Sequence, residues 1–310
     1  MTDGNSMMTT CRIHLAALLA LGFVTGLVPS SQAQDPGVKG YRIGTCDWSI
    51  KLPVSEESFR FAQRIGLDGI QYSFDDEGKG LDLRTRENRD KVRSVVRETG
   101  VAISSLGIGR LNKVPLATTE EADQLVTDCL EAMIKLKEEA AELSDRELAT
   151  KVSPRIVLLA FFGKADLKGN VERIETVITK LKRIAPIAER HGFILGLETL
   201  LSEADHRHII KSVGSPAVKV YYDTANSARM GYDIYREIES LGVEEICEIH
   251  LKQNAALLGE GNIDFERVKR LLEKIDYQGW LIIEGSRPKR LSPTEATEQN
   301  TVFARNLFNR

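Results

Sequence analysis

The chain has 310 residues, 42% of them hydrophobic and 28% charged, proportions ordinary for a globular protein with one large core. Its 42 basic residues stand against 45 acidic ones, a formal net charge of −3, which excludes the basic footprint of a nucleic-acid-binding protein. Partners therefore have to be argued from a site rather than from the overall field.

In chain order, residues 1–33 differ from the rest. Arg12 and His14 precede an apolar run, Leu15 to Val28, and Pro29-Ser30-Ser31-Gln32-Ala33 follows it. This order reads as a secretory signal with a small-x-small cleavage site ending at Ala33. The mature domain is then 34–310, in the periplasm or outside the cell. The apolar run falls short of the roughly 20 residues that a bilayer-spanning helix requires, so no lasting membrane anchor is expected. Of the 4 cysteines, Cys11 lies in this segment, and Cys46, Cys129 and Cys247 remain. They cannot all pair within one chain and show no Cys-x-x-Cys spacing, so at least one is expected as a small buried thiol.

From residue 42 onward, short apolar or β-branched runs alternate with longer segments of helical periodicity. Strands are expected at Arg42–Asp47, Asp68–Tyr72, Ala102–Leu106, Arg155–Ala160, Ile194–Glu198, Lys219–Asp223, Cys247–Lys252 and Trp280–Glu284. Helices are expected at Glu56–Ile65, Arg86–Thr99, Glu120–Leu143, Val171–Arg190, Ile234–Leu241 and Phe265–Lys274. In the third of these, Ala122, Leu125, Val126, Cys129, Met133, Leu136 and Ala140 recur at three-and-four spacing. Gly66, Gly100 and Gly192 each stand where a left-handed helix cap is expected before the next strand. Residues 141–153 read as a helix end plus a connector, and 292–310 as a last outer helix burying Val302, Phe303, Leu307 and Phe308. Repeated βα units mean a parallel sheet, and eight of them in this length favour a closed (β/α)8 TIM barrel. No Gly-x-Gly-x-x-Gly follows the first strand, which removes the main reason to expect a dinucleotide fold.

Catalytic groups of such barrels gather at the C-terminal ends of the strands. Four successive apolar runs here end in a potential ligand: Glu198, Asp223, His250 and Glu284. Three buried carboxylates in neighbouring units would repel one another, and a divalent cation resolves that repulsion. Three carboxylates and one imidazole suit Mn2+ first, with Mg2+, Co2+ or Zn2+ as alternatives. Four unrelated polar strand caps would account for each residue singly, but not for their coincidence at four strand ends in succession.

These residues also carry a family resemblance. Glu198-Thr199, Asp223-Thr224-Ala225-Asn226, His250-Leu251-Lys252 and Ile283-Glu284-Gly285, with Gly259-Glu260-Gly261-Asn262-Ile263-Asp264-Phe265 after the seventh strand, resemble the xylose-isomerase-like barrel superfamily, in particular its sugar phosphate isomerase/epimerase group. The resemblance spans essentially all of 34–310. It implies metal ligation by the same four residues, with Glu198 and Glu284 doubling as the acid/base pair. The chemistry is coherent: a metal holding a carbonyl and the adjacent hydroxyl acidifies the proton between them, and two carboxylates remove and return it. If the substrate bears a β leaving group, the same base gives elimination instead.

The sequence departs from the ketose 3-epimerase pattern at Asn226, where a His is usual, and at Ala256, where an Arg is usual. A substrate-gripping acid expected near 204 is displaced to Glu203 or Asp205. The metal site is kept and the substrate site rebuilt. Asn226, Glu203 and His206 are its expected members, alongside Lys252, which shares a strand face with His250, and Trp48, an apolar wall for a sugar ring. Phe161 and Phe162 end the fourth strand near the mouth. His206 and His208, one residue apart, cannot share a helix face and so are not read as a second metal site. His191 reads as a helix C-terminal residue, and the basic run Arg287-Pro288-Lys289-Arg290 as a solvated loop.

The leading expectation is an exported metal-dependent sugar isomerase or epimerase acting next to a carbonyl. Alternatives are a lyase or dehydratase on a keto-sugar, cyclitol or keto-glycoside, and a non-catalytic metal-stabilised carbohydrate-binding barrel. An endonuclease of this barrel type would need more histidines and a basic face. The expected partner is a small-molecule carbohydrate, with homo-oligomerisation left open.

Overall fold

Eight strands, β1 (Arg42–Cys46), β2 (Gly69–Ser73), β3 (Ala102–Ile108), β4 (Ile156–Ala160), β5 (Ile194–Glu198), β6 (Val218–Asp223), β7 (Ile246–Leu251) and β8 (Trp280–Ile283), pair in parallel and in chain order. β8 pairs back on β1, matching Arg42 with Trp280 and Thr45 with Ile283, so the sheet closes as a barrel. This is the expected (β/α)8 architecture. The computed structural model describes residues 40–74 and 80–309, all within the unit Ser31–Arg310. The expected signal segment and its Ala33 boundary lie outside the described residues. Among those described, no helix is long and apolar enough to cross a membrane.

The outer helices follow from their patterns. α1 (Glu56–Arg64), α2 (Arg86–Thr99), α3 (Glu120–Ala141), α5 (Val171–His191) and α9 (Phe265–Lys274) each bury an apolar face, whereas α10 (Pro293–Phe308) buries Ala296, Thr297, Asn300, Thr301, Ala304 and Phe308 and leaves Val302, expected on its buried side, exposed. α3 starts where Thr119 accepts a hydrogen bond from the Ala122 N–H, and α2 and α5 stop at left-handed Gly100 and Gly192. α8 (Ile234–Glu245) runs past its expected end, with a non-helical Gly242 inside it.

The connector expected at 141–153 contains a short helix, α4 (Arg146–Lys151). Asp145 caps it by accepting from the Leu148 N–H, and Leu148 itself is buried, which supplies the local reason that periodicity alone did not. The expectations also passed over α6 (Glu203–Val213) and α7 (Thr224–Arg229), both of which begin immediately beyond the barrel mouth.

One core lies between barrel and helices, for example Ile43, Leu195, Val220 and Ile249 with Val92, Met133 and Leu181. Inside the barrel, Cys46, Ala102, Trp280 and Ile282 pack on one side, and Ile156, Leu158, Ala160, Tyr221 and Cys247 on the other. The register of β7 against β6 sets the site. Val220 is opposite Ile246, but Tyr221 is opposite Glu248 and Asp223 opposite His250, so one extra residue, Cys247, is inserted in β7. Without that bulge the count from Val220 would place Ile249 beside Asp223 and turn the imidazole away from it.

Candidate metal centre

Glu198 and Asp223 are the last residues of β5 and β6, His250 lies one residue from the end of β7, and Glu284 follows β8 directly. Strand order therefore places all four on adjacent staves of the barrel. One ligand atom from each lies within 4.8 Å of all the others, with Glu198, Asp223 and His250 buried and Glu284 half-buried.

Each side chain is held by a neighbour. The His250 Nε2–H donates to Gln71 Oε1 at 2.7 Å, which leaves Nδ1 facing the carboxylates: 3.1 Å from Glu198 Oε1, 3.7 Å from Glu284 Oε2 and 3.8 Å from Asp223 Oδ2. Asp223 caps α7, its Oδ1 accepting from the backbone N–H groups of Ala225 and Asn226 at 2.9 and 2.8 Å. Its Oδ2 is turned inward and lies 3.2 Å from Lys252 Nζ, in an orientation that makes no hydrogen bond. Asn226 Nδ2 donates to Glu198 Oε1 at 3.3 Å. Glu284 accepts from Trp48 Nε1 at 3.1 Å and from Lys252 Nζ at 2.5 Å.

The electrostatics match a cation site. Burial pushes the Glu198 carboxyl up to about 7, with Glu284 and Asp223 adding to the effect against the pull of His250. Burial also disfavours charge on His250, yet Cys46, Glu284 and Glu198 outweigh it and raise the imidazole well above its ordinary value. Asp223 is buried, but Lys252 and His250 hold its carboxyl below the usual range. The donor set therefore fits a divalent ion: three convergent carboxylates, an imidazole whose Nδ1 the Gln71 bond turns toward them, where an ion would take the place of the proton, and an Asp223 oxygen with no hydrogen bond.

A cavity of about 540 Å³ opens over these residues. Glu198 and Glu284 line it, as do Trp48, Asn226 and Lys252 from the expected substrate set. Leu158, Ala160 and Phe162 give it an apolar side, whereas Phe161 belongs to the core behind. Two expected residues are placed elsewhere. Glu203 pairs with Arg207 and accepts from Ser240 Oγ on the outer side of α6, and His206 is buried against Thr199 Oγ1 at 2.9 Å. Neither lines the cavity, because the helical turn beginning at Ser202 carries both away from the mouth. Burial pushes His206 down to about 4, so it is a neutral packing residue, and His208 meets Glu175 on the surface at 2.9 Å.

Sequence reasoning missed Gln71, and also Ser73, Asn112, Arg229 and Asn254 around the cavity. The one available signal was Gln71 itself, a polar residue in the apolar run of β2. The three cysteines at 46, 129 and 247 are free and buried.

A family model described as xylose isomerase-like TIM barrel matches residues 59–307. The chain is 27% identical over 226 residues to a 2-epi-5-epi-valiolone 7-phosphate 2-epimerase of Actinoplanes sp., covering 71% of this chain and 77% of the relative. It is 26% identical over 250 residues to the L-ribulose-5-phosphate 3-epimerase UlaE of Shigella flexneri, covering 75% and 84%. Among solved structures, the apo 3-keto-D-glucoside 4-epimerase of E. coli shares the fold at a TM-score of 0.64 and 18% identity, over 86% of this chain and 99% of that one.

Proposed function

The chain belongs to the xylose isomerase-like TIM barrel family, and from that premise we propose that it is an exported, divalent-metal-dependent sugar isomerase or epimerase that moves the proton next to a carbonyl. The observation that carries this reading is the convergence of Glu198, Asp223, His250 and Glu284 within 4.8 Å at the floor of a cavity that Glu198 and Glu284 also line. The epimerase activities of the curated relatives support it. Export rests on the apolar run and cleavage pattern of residues 1–33.

When bound, Mn2+ or a similar ion would be held by these four residues and would supply Lewis acidity toward a substrate carbonyl and hydroxyl. The protein's own groups do the rest. Glu198 and Glu284 take up and return the proton. Lys252 Nζ, at the cavity wall beside Asp223 and Glu284, donates to a substrate oxygen as charge develops. Trp48, Leu158, Ala160 and Phe162 exclude water from one face of the sugar, and Asn226 orients Glu198. Arg229 and Asn254 stand at the exposed rim, where substituents beyond the reacting carbon would reach.

The test is incubation of keto-sugars and 3-keto-glycosides with the Mn2+-loaded protein in heavy water. Solvent deuterium should enter the recovered sugar at the carbon next to the carbonyl, and Glu284→Gln should lower that rate by about 10²–10⁴-fold. A fully active Glu284→Gln would remove the acid/base assignment. Release of an alcohol or water in place of simple exchange would turn the reading to a lyase.

A further inference from the structure

The metal-centre reading names four ligands, and the geometry points to a fifth residue, Trp48, as the one that positions Glu284. The four ligands are not equally secured. Glu198 and Asp223 end strands that are paired on both sides and are buried, and His250 is clamped by Gln71. Glu284 stands one residue beyond the end of β8, half-buried at the mouth, and its backbone is tied by the bond from its N–H to Leu251 O at 3.2 Å and by a local one from Ser286 Oγ to its carbonyl at 3.3 Å. Of the four side chains it depends most on an outside partner.

Trp48 fills that role. Its Nε1–H donates to Glu284 Oε1 at 3.1 Å, while Lys252 Nζ donates to Oε2 at 2.5 Å, so the indole fixes the one oxygen that Lys252 does not and sets the rotation that brings Oε2 to 3.7 Å from His250 Nδ1. The indole is itself held. It sits in a tight turn after β1, where the Ser49 N–H bonds Cys46 O at 3.1 Å and the Leu52 N–H bonds Asp47 O at 3.0 Å. Its six-membered ring lies over Gly107 so closely that a Cβ there would come within 2.8 Å of Cη2 and 2.9 Å of Cζ3. Its edge meets the His250 ring at 6.4 Å between centroids and 70°. A wall residue needs only bulk, which Phe would supply equally well. The directed N–H, the glycine beneath the ring and the position of the ligand it touches, half-buried beyond the strand end, together mark Trp48 as a positioning residue for the metal centre. Because the indole also faces the cavity, a sugar ring stacked on it would bear on the group that sets Glu284.

This inference rests on the metal-centre reading, and one set of Mn2+ titrations separates the two. Calorimetric titration of the metal-free full chain should give an affinity that Trp48→Phe weakens by about tenfold, with the melting temperature of the metal-free protein unchanged. Gly107→Ala, which displaces the indole, should weaken Mn2+ binding in the same direction, yet add nothing in a Trp48→Ala background where the space is empty. In Trp280→Phe, which leaves Trp48 as the remaining one of 2 tryptophans, Mn2+ should quench indole emission along the calorimetric isotherm. Wild-type affinity in Trp48→Phe, an additive Gly107→Ala effect, or unquenched emission on Mn2+ binding overturns the role of Trp48. Failure of the wild-type chain to bind any of Mn2+, Mg2+, Co2+ or Zn2+ overturns the metal-centre reading itself.

Discussion

His250 can offer a ligand nitrogen toward the carboxylates only if its other nitrogen is protonated and satisfied, and Gln71 is the group that decides this. Gln71→Leu leaves a buried N–H without an acceptor. It should cost about 1–3 kcal/mol in urea unfolding and weaken Mn2+ binding by about 10–100-fold in a calorimetric titration. Asp47 is the second residue of this kind. It is fully buried and accepts from Val54 N at 3.0 Å, Ser73 N at 2.9 Å and Ser73 Oγ at 2.6 Å, bracing the turn that carries Trp48. Burial nevertheless pushes its carboxyl from 3.8 up to about 6. Between those values the folded chain binds the extra proton, so this contribution to stability is present at low pH and is lost as pH rises through about 4 to 6, on the order of 3 kcal/mol. In Asp47→Asn the amide can donate to the Ser73 hydroxyl and the remaining oxygen can still accept, so the difference in unfolding free energy between the variant and wild type should grow across that window. A parallel pH dependence in both proteins would show that Asp47 does not titrate there. Both residues are named plainly in the sequence. Their roles depend on neighbours 179 and 26 positions away, which periodicity does not pair.

Strand positions were readable because a buried parallel strand is a short apolar run, and helix positions because one face must be apolar. β5 matches its expected bounds, and so do α2 and α9. What these patterns do not encode is a bulge. The extra residue Cys247 is apolar, like the strand around it, and only pairing with β6 reveals that it brings His250 rather than Ile249 beside Asp223. Short helices escaped for a related reason: α4 and α7 owe their starts to Asp145 and Asp223, single capping side chains, and not to an extended apolar stripe. Close approach between strands is equally hidden. A Cβ on Gly44 would lie 2.7 Å from Gly69 O, a backbone atom that cannot yield. Gly44→Ala should therefore destabilise the barrel by about 1–3 kcal/mol, measured as a lower urea midpoint at an unchanged slope.

For the whole molecule, closure of β8 on β1 is what turns four separate strand ends into one site. Drawing three carboxylates together opposes folding, an effect that Lys252 and His250 offset only in part, and a bound ion should stabilise the fold by mass action. At Mn2+ a hundredfold above its dissociation constant, the gain is about 2.7 kcal/mol, or a melting temperature roughly 5–10 °C higher than after chelation. A scan in which Mn2+ leaves the transition unmoved would argue against metal binding by the folded chain. The sequence by itself determined the βα repeat, the barrel and the strand-end acids and imidazole, since burial and strand-end position impose residue types that can be read one segment at a time. Only the tertiary structure decided which neighbours hold those ligands and which side chains reach the cavity. It places Gln71 behind His250, Trp48, Asn226 and Lys252 at the cavity, and Glu203 and His206 away from it, because bulges, turns and helix starts rotate a side chain by amounts that linear spacing does not record.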